Sequence, residues 1–222
     1  IREPEGSVEE DQKATFLNFA KQAVPLLKRR PVVFKLVAIR LLLDGSALAS
    51  PFYVLFAHRN LLLALSIAGV YAVSKQAGKL LLGPLWGVVT DRYGASNALA
   101  IVAICVTLVP LLALSTLVVG SWTLVPAFFI LGGIQDGVWM TSSNVLLISI
   151  TEQERPLAVG ATCLLQSPSA MYGIIGGALA GFMSYQYIFA IAAGLTFVGC
   201  LVALSLSTNV RAWKVEVGET VG

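Results

Sequence analysis

The sequence predicts an all-α membrane protein with six transmembrane helices. Of its 222 residues, 57% are hydrophobic and 12% are charged, whereas a soluble domain is about half apolar and about a quarter charged. Apolar runs recur at about the 20 residues that a helix needs to cross the hydrocarbon core. We therefore expect six spans joined by short loops, at Phe34–Ala57, Leu62–Val89, Ala98–Val119, Trp122–Ile150, Leu157–Met183 and Tyr187–Leu206.

The spans divide the chain into three regions. We expect residues 1–31 to be a cytoplasmic linker, residues 32–207 to be the six-helix transmembrane domain, and residues 208–222 to be a cytoplasmic tail. Between Ala14 and Arg30, apolar residues recur at helical spacing among basic ones, which favours an interfacial amphipathic helix lying in the inner headgroup region. An ordinary linker with one apolar side is the alternative.

Basic residues predict the orientation. Lys and Arg cluster before the first span and follow the last, and Arg92 and Arg155 lie in two loops on that same side, whereas the opposite side has only Arg59. The positive-inside rule therefore predicts that both termini are cytoplasmic. Because no exposed basic face carries interleaved aromatics, we expect no nucleic-acid partner. The chain has one histidine, in a loop, and three cysteines, each within an apolar span. Their spacing matches no metal-binding motif, so we expect no metal and no cofactor.

A charged segment between the second and third spans carries the most specific pattern, Gly87-Val88-Val89-Thr90-Asp91-Arg92-Tyr93-Gly94. We expect a tight hairpin, in which Gly87 permits close helix approach and Gly94 permits the reversal. The segment resembles the loop motif of major facilitator superfamily (MFS) transporters, Gly-x3-Asp-Arg-x-Gly-x-Arg/Lys-Arg/Lys. Ser96 and Asn97 stand where that motif has its basic pair.

A second segment, before the fifth span, extends the resemblance. Thr151 and Glu154 have the spacing of a capping box, in which each side chain bonds a free backbone N–H at the helix start. Arg155 matches the habitual cytoplasmic basic position of the family, and a stretch rich in small residues follows from Gly173 to Gly181. With these segments included, the resemblance covers Ala14 to Leu206.

The resemblance implies an MFS half-bundle with a 3+3 inverted repeat, preceded by the central cytoplasmic loop of the family. We therefore interpret the chain as the C-terminal six-helix half of a transporter, whose N-terminal half belongs to the same polypeptide. It would be a secondary active transporter, not an enzyme, and it would move a small-molecule substrate by alternating access. Its partner would be the lipid bilayer of the bacterial inner (plasma) membrane. The alternative is a six-span membrane scaffold or a non-transporting partner subunit.

Charged side chains within the spans are the candidate pathway residues. An ionisable group at bilayer depth costs about 2.5–3.5 kcal/mol on insertion scales, and such groups mark substrate or proton pathways. The first span has Arg40 and Asp44, the second has Lys75 and Lys79, and the fourth has Asp136. Arg40 and Asp44 are one helical turn apart, so an intrahelical ion pair is the alternative to a carboxylate that faces the cavity.

The lysine pair leaves three alternatives open. Lys75 and Lys79 point the same way one turn apart and repel each other unless an anion or the two aspartates lie between them. We weigh an anionic substrate, neutralisation by Asp44 and Asp136, and snorkelling of Lys79 toward the inner interface. If an anion lies between the lysines, the substrate is an organic anion. If an aspartate near the lysines takes up a proton, transport is coupled to protons. We keep both as hypotheses for the function.

Neutral residues complete the candidate pathway. Trp139 shares the helical face of Asp136, and an aromatic side chain beside a carboxylate suits a substrate site; a salt bridge between Asp136 and a lysine is the alternative. The other candidates are Tyr71, Gln76, Asn144 and Gln166, for which packing between helices is the competing explanation. We also expect a small-residue packing face on the second span, formed by Gly69, Gly83 and Gly87.

Overall fold

The computed structural model describes residue 25, residues 29–59 and residues 66–219, with side chains up to residue 207. Residues 1–24 of the predicted linker, the predicted start of the second span at Leu62, and the side chains of the predicted tail lie outside this part. The described chain is helical and contains no strand. Its α-helices are α1 (Pro31–Asp44), α2 (Phe52–Arg59), α3 (Ile67–Tyr93), α4 (Ala95–Val119), α5 (Leu124–Ile148), α6 (Arg155–Gln166), α7 (Tyr172–Phe182) and α8 (Tyr185–Glu219).

Three helical segments of the described chain are long and apolar enough to cross a membrane: Ala95–Val119, Ser121–Ile148 and Tyr185–Ser207. They correspond to the third, fourth and sixth predicted spans. The second predicted span lies in α3, which is 27 residues long and carries two lysines in its middle. The first and fifth predicted spans are divided into shorter helices. The count of six transmembrane helices therefore stays a prediction.

The expectation of continuous helices over the first and fifth predicted spans is wrong. After α1, the chain forms a 3-10 turn at Gly45–Leu48, and α2 begins only at Phe52. After α6, a 3-10 segment at Ser167–Met171 precedes α7. A proline lies in or just after each break, and proline has no N–H to donate to the preceding helical turn. The first break packs against α7: the Leu48 carbonyl oxygen lies where a side chain on Gly176 would be.

The reversal between α3 and α4 is a single residue. Gly94 has φ of +83°, a conformation that glycine adopts without a Cβ penalty, and its N–H donates to the Thr90 carbonyl oxygen at 2.8 Å. The predicted need for glycine at this reversal is confirmed. The predicted charged hairpin is shorter than expected, because α3 continues through Tyr93 and the motif is helical up to that residue.

Helices α3 and α5 pack backbone against backbone. A Cβ atom on Gly132 would overlap the Lys75 carbonyl oxygen, and one on Gly78 would overlap the Phe129 carbonyl oxygen. Close approach at small residues is a common way for membrane helices to associate. The buried Trp86 indole strengthens the contact by donating its N–H to the Gly133 carbonyl oxygen at 2.7 Å.

The packing face predicted on the second span makes no close contact with another helix of the described chain and stays a prediction. A side chain on Gly69 or Gly83 would meet nothing within 4 Å, and one on Gly87 would meet only the Met140 methyl group at an ordinary 3.7 Å. The glycine of α3 that lies against another helix is Gly78. Spacing alone identified a glycine stripe but not which side of the helix faces α5.

Contacts between α3 and α5 repeat every four residues along both helices. Along one ridge, the Tyr71 ring stacks on Phe128 at 4.7 Å between centroids, and the Lys75 backbone meets Gly132. The next step of this ridge brings Lys79 to Asp136, at 3.5 Å between Nζ and Oδ2. Ridges of residues four apart are the usual packing surfaces of helices. The same ridge thus leads from the aromatic core to the charged residues.

The start of α6 differs from its prediction. The Thr151 hydroxyl donates to the Glu154 carboxylate at 3.0 Å, and neither side chain caps a backbone N–H. The predicted capping box is therefore wrong. Glu154 instead accepts a hydrogen bond from Arg30 at 3.1 Å. This ion pair draws the carboxylate away from the helix start and ties the beginning of α1 to the beginning of α6.

The backbone contact at Gly132 generates a stability prediction. Gly132→Ala places a methyl group against the Lys75 carbonyl, and overpacking of this kind costs about 1–3 kcal/mol. We expect a lower midpoint of thermal unfolding for the purified full-length protein in detergent. The matched control is Gly194→Ala on α8, where a Cβ atom would meet nothing within 4 Å; this variant gains about 0.5–1 kcal/mol because alanine is the better helix former. Equal midpoints for the two variants would contradict this packing.

Candidate functional site

The charged residues of the spans surround one open cavity of about 800 Å³. Its walls come from α1, the break that follows α1, α3, α5 and the break before α7. All five ionisable candidates line it, and so does Trp139: the charged lining residues are Arg40, Asp44, Lys75, Lys79 and Asp136. The sequence placed these residues in three separate spans, and the fold brings them together.

Lys79 and Asp136 form an ion pair at 3.5 Å, and each side chain is about half exposed, at 58% and 52%. The salt-bridge alternative for Asp136 thus describes this structure. Exposed pairs of this kind are worth about 0–1 kcal/mol, so an incoming charged group can compete for either partner. Lys75 is half-buried, and it makes no ion pair within 4.0 Å among the described residues.

Arg40 and Asp44 do not form the intrahelical pair that was one of the two alternatives, since no ion pair within 4.0 Å joins them. The Arg40 guanidinium instead donates through Nη1 to the Ser142 hydroxyl on α5 at 2.8 Å. Asp44 is the last residue of α1, and its electrostatic neighbours are Arg40, Ser169 of the other break and Tyr172 at the start of α7. The break in the first span therefore turns this carboxylate toward the cavity.

The cavity carries three cationic side chains against two carboxylates, which leaves one positive charge in excess. With Lys79 and Asp136 paired, the unpaired groups are Lys75, Arg40 and Asp44. The low-dielectric walls of a cleft focus the field of such a charge and attract a counter-ion. The arrangement suits an anion that enters from the aqueous side.

The neutral candidates fall in different places. Tyr71 is in the core, stacked on Phe128, and its buried hydroxyl has no hydrogen-bond partner among the described residues. Gln166 lines a smaller cavity of about 240 Å³ beside the first. Gln76 is exposed and Asn144 half-buried, and neither lines these two cavities.

Sequence reasoning missed several polar residues of the site. Ser46 and Ser50 in the first break and Ser169 in the second line the large cavity, together with Gln135. Ser142, the partner of Arg40, was also missed. For Ser46, Ser50 and Ser169, the sequence signal is a serine next to a proline or glycine within an apolar run, because a helix break at such a position exposes the side chain.

The loop-motif residues lie at the end of α3. Asp91 is exposed, and the Arg92 guanidinium lies 5.8 Å from the centre of the Tyr93 ring. Asn97, which replaces a basic residue of the motif, donates to the Tyr93 carbonyl oxygen at 2.7 Å and accepts a hydrogen bond from Ser207 on α8. Asn97 thus fastens the reversal to the last helix. Near the start of α6, Arg155 pairs with Glu152 at 3.5 Å.

Long apolar helices around a charged cavity define an integral membrane protein. The family model described as Major Facilitator Superfamily matches residues 11–220. The chain belongs to this family and is therefore a membrane transporter of the major facilitator type, surrounded by lipid and acting on a small-molecule substrate. No curated protein and no solved structure matches the sequence significantly.

Proposed function

We propose that this chain is the C-terminal half of a secondary active transporter that moves a small organic anion by alternating access. The observation that carries the proposal is the open cavity with one positive charge in excess. Its lining residues Arg40, Asp44, Lys75, Lys79, Asp136 and Trp139 would form this half's share of the substrate and proton pathway. The protein would act in the bacterial inner membrane, with both termini in the cytoplasm.

An N-terminal six-helix half of the same polypeptide would complete the cavity. Helix α3 leaves a surface on which such a half can pack, because large apolar side chains are exposed along its length, among them Val73 (70%), Leu80 (75%) and Val88 (61%). In membrane transporters the substrate site lies between two such halves, which rock around it. A scaffold or a non-transporting subunit, the alternative function, would gain nothing from five ionisable groups in one cavity.

Anion preference is the first functional prediction. Lys75→Gln removes the unpaired lysine, and we expect the affinity for organic anions to fall at least about tenfold, or about 1.4 kcal/mol. Asp136→Asn removes a carboxylate and should raise that affinity. Competition binding on purified full-length protein would compare organic anions with cationic dyes in each variant.

The matched control for this experiment is Lys35→Gln, because Lys35 is an exposed lysine of α1 that lines neither cavity. This variant should bind anions as the wild type does. Tight binding of cationic dyes that is unchanged or improved by Lys75→Gln would contradict the anion preference.

Proton coupling is a second hypothesis, based on the two cavity carboxylates. If one of them carries the coupling proton, its replacement by Asn should abolish uphill accumulation and spare substrate exchange across the membrane. Asp44→Asn and Asp136→Asn would be compared in proteoliposomes with an imposed pH gradient. Glu152→Gln, at an exposed carboxylate near the start of α6, is the control for accumulation: the loss of its ion pair with Arg155 can change the rate of transport but not the final gradient. If both Asn variants still concentrate substrate, neither carboxylate carries the proton.

The loop motif generates a third prediction. We propose that Asp91, supported by Gly87, Arg92, Gly94 and Arg155, latches this half to the N-terminal half in one conformation. Helix N-termini bind acidic groups with about 0.3–1 kcal/mol when exposed, and Asp91 is exposed. Asp91→Asn should slow transport and leave substrate affinity within a few-fold. An unchanged transport rate in proteoliposomes would contradict the latch.

A further inference from the structure

A second cavity of about 240 Å³ lies beside the large one, between α1, α5 and α6. Arg40 and Trp139 line both cavities and therefore lie at their junction. The rest of the smaller wall is largely apolar, and its aliphatic side chains are Leu36, Leu146, Leu147 and Val159. We call this smaller cavity the side pocket.

Two buried donors of the side pocket are unused. Arg40 Nε and Gln166 Nε2 are buried, and neither has a hydrogen-bond partner among the described residues. Leaving a buried donor without an acceptor costs about 1–3 kcal/mol, and more for a charged group. Tyr53, Tyr71 and Arg155 also have a buried polar atom without a partner in the described chain, but only Arg40 and Gln166 line a cavity in which a ligand or water can supply the acceptor.

The side pocket also has no carboxylate among the residues that line it. Asp44, whose charge acts on Arg40 from one helical turn away, lines only the large cavity. The guanidinium fork of Arg40 donates through Nη1 to Ser142 and has further N–H groups. A carboxylate is the acceptor that best matches such a fork, because it receives two N–H groups at once.

We propose that the side pocket holds the compact apolar group of an aromatic or short branched monocarboxylate, with the carboxylate at Arg40 and Gln166. This inference rests on the proposed anion transport and names the substrate class. An apolar cavity of about 150 Å³ holds a benzene ring, so the side pocket has room for one ring. Trp139, at the junction, offers that ring an aromatic face.

The test measures binding of benzoate, acetate and benzyl alcohol to the purified full-length transporter. Benzoate has both the ring and the charge, and we expect it to bind at least about tenfold more tightly than either of the others. Val159→Phe fills the pocket and should weaken benzoate about tenfold while acetate stays within about twofold. The matched control is Val118→Phe, at a 90% exposed valine that lines neither cavity.

Two further variants separate the polar from the apolar contribution. Gln166→Leu removes a donor at similar volume and should weaken benzoate but not benzyl alcohol. Val159→Ala enlarges the pocket, so it should improve binding of 2-naphthoate relative to benzoate, and this result does not depend on whether the Phe variant folds.

The outcomes distinguish the two proposals. If benzoate and acetate bind equally and Val159→Phe changes neither, the side pocket is overturned and anion transport stands. If cationic dyes bind and none of the carboxylates does, both proposals are overturned. Selective loss of benzoate in Val159→Phe, with Val118→Phe unchanged, supports the side pocket.

Discussion

Backbone contact between α3 and α5 is the constraint on which the charged cavity depends. At Gly132 no side chain separates the helices, and the Lys75 carbonyl fills that space. Because both helices step four residues at a time from this point, Lys79 arrives beside Asp136 at 3.5 Å. A side chain at position 132 would therefore separate Lys79 from Asp136 and disturb the packing of the bundle.

The two helix breaks form the opposite wall of the cavity. The first predicted span ends as an α-helix at Asp44, and its broken continuation packs on α7 where Leu48 meets Gly176. Non-helical backbone at membrane depth is tolerated where it is buried in protein or lines a water-filled cavity. The two breaks line the same cavity as the lysines. The polar cavity is thus enclosed by the packed helices α3 and α5 on one side and by the two broken helices on the other.

The sequence predicted the parts of this account that local chemistry decides. A glycine was needed at the reversal, and Gly94 has the positive φ that explains it. Charged residues in apolar runs predicted the cavity lining, because an ionisable side chain that faces lipid is unfavourable and a polar cavity removes that cost. Features that depend on helix rotation were not predictable: Gly78, not Gly87, faces α5, and Tyr71 lies in the core. The capping box failed because Arg30, distant in sequence, binds Glu154.

The central claim is that the charged residues share one water-filled cavity within the membrane. Single cysteines at Lys75, Lys79 and Asp136, in full-length protein with its native cysteines replaced, would test it with a membrane-impermeant charged thiol reagent. Cysteine at Ile104, an exposed apolar position of α4 that lines neither cavity, is the control. We predict rapid labelling at the three cavity positions and none at residue 104. Protection of all three cavity positions, at the level of residue 104, would contradict the account.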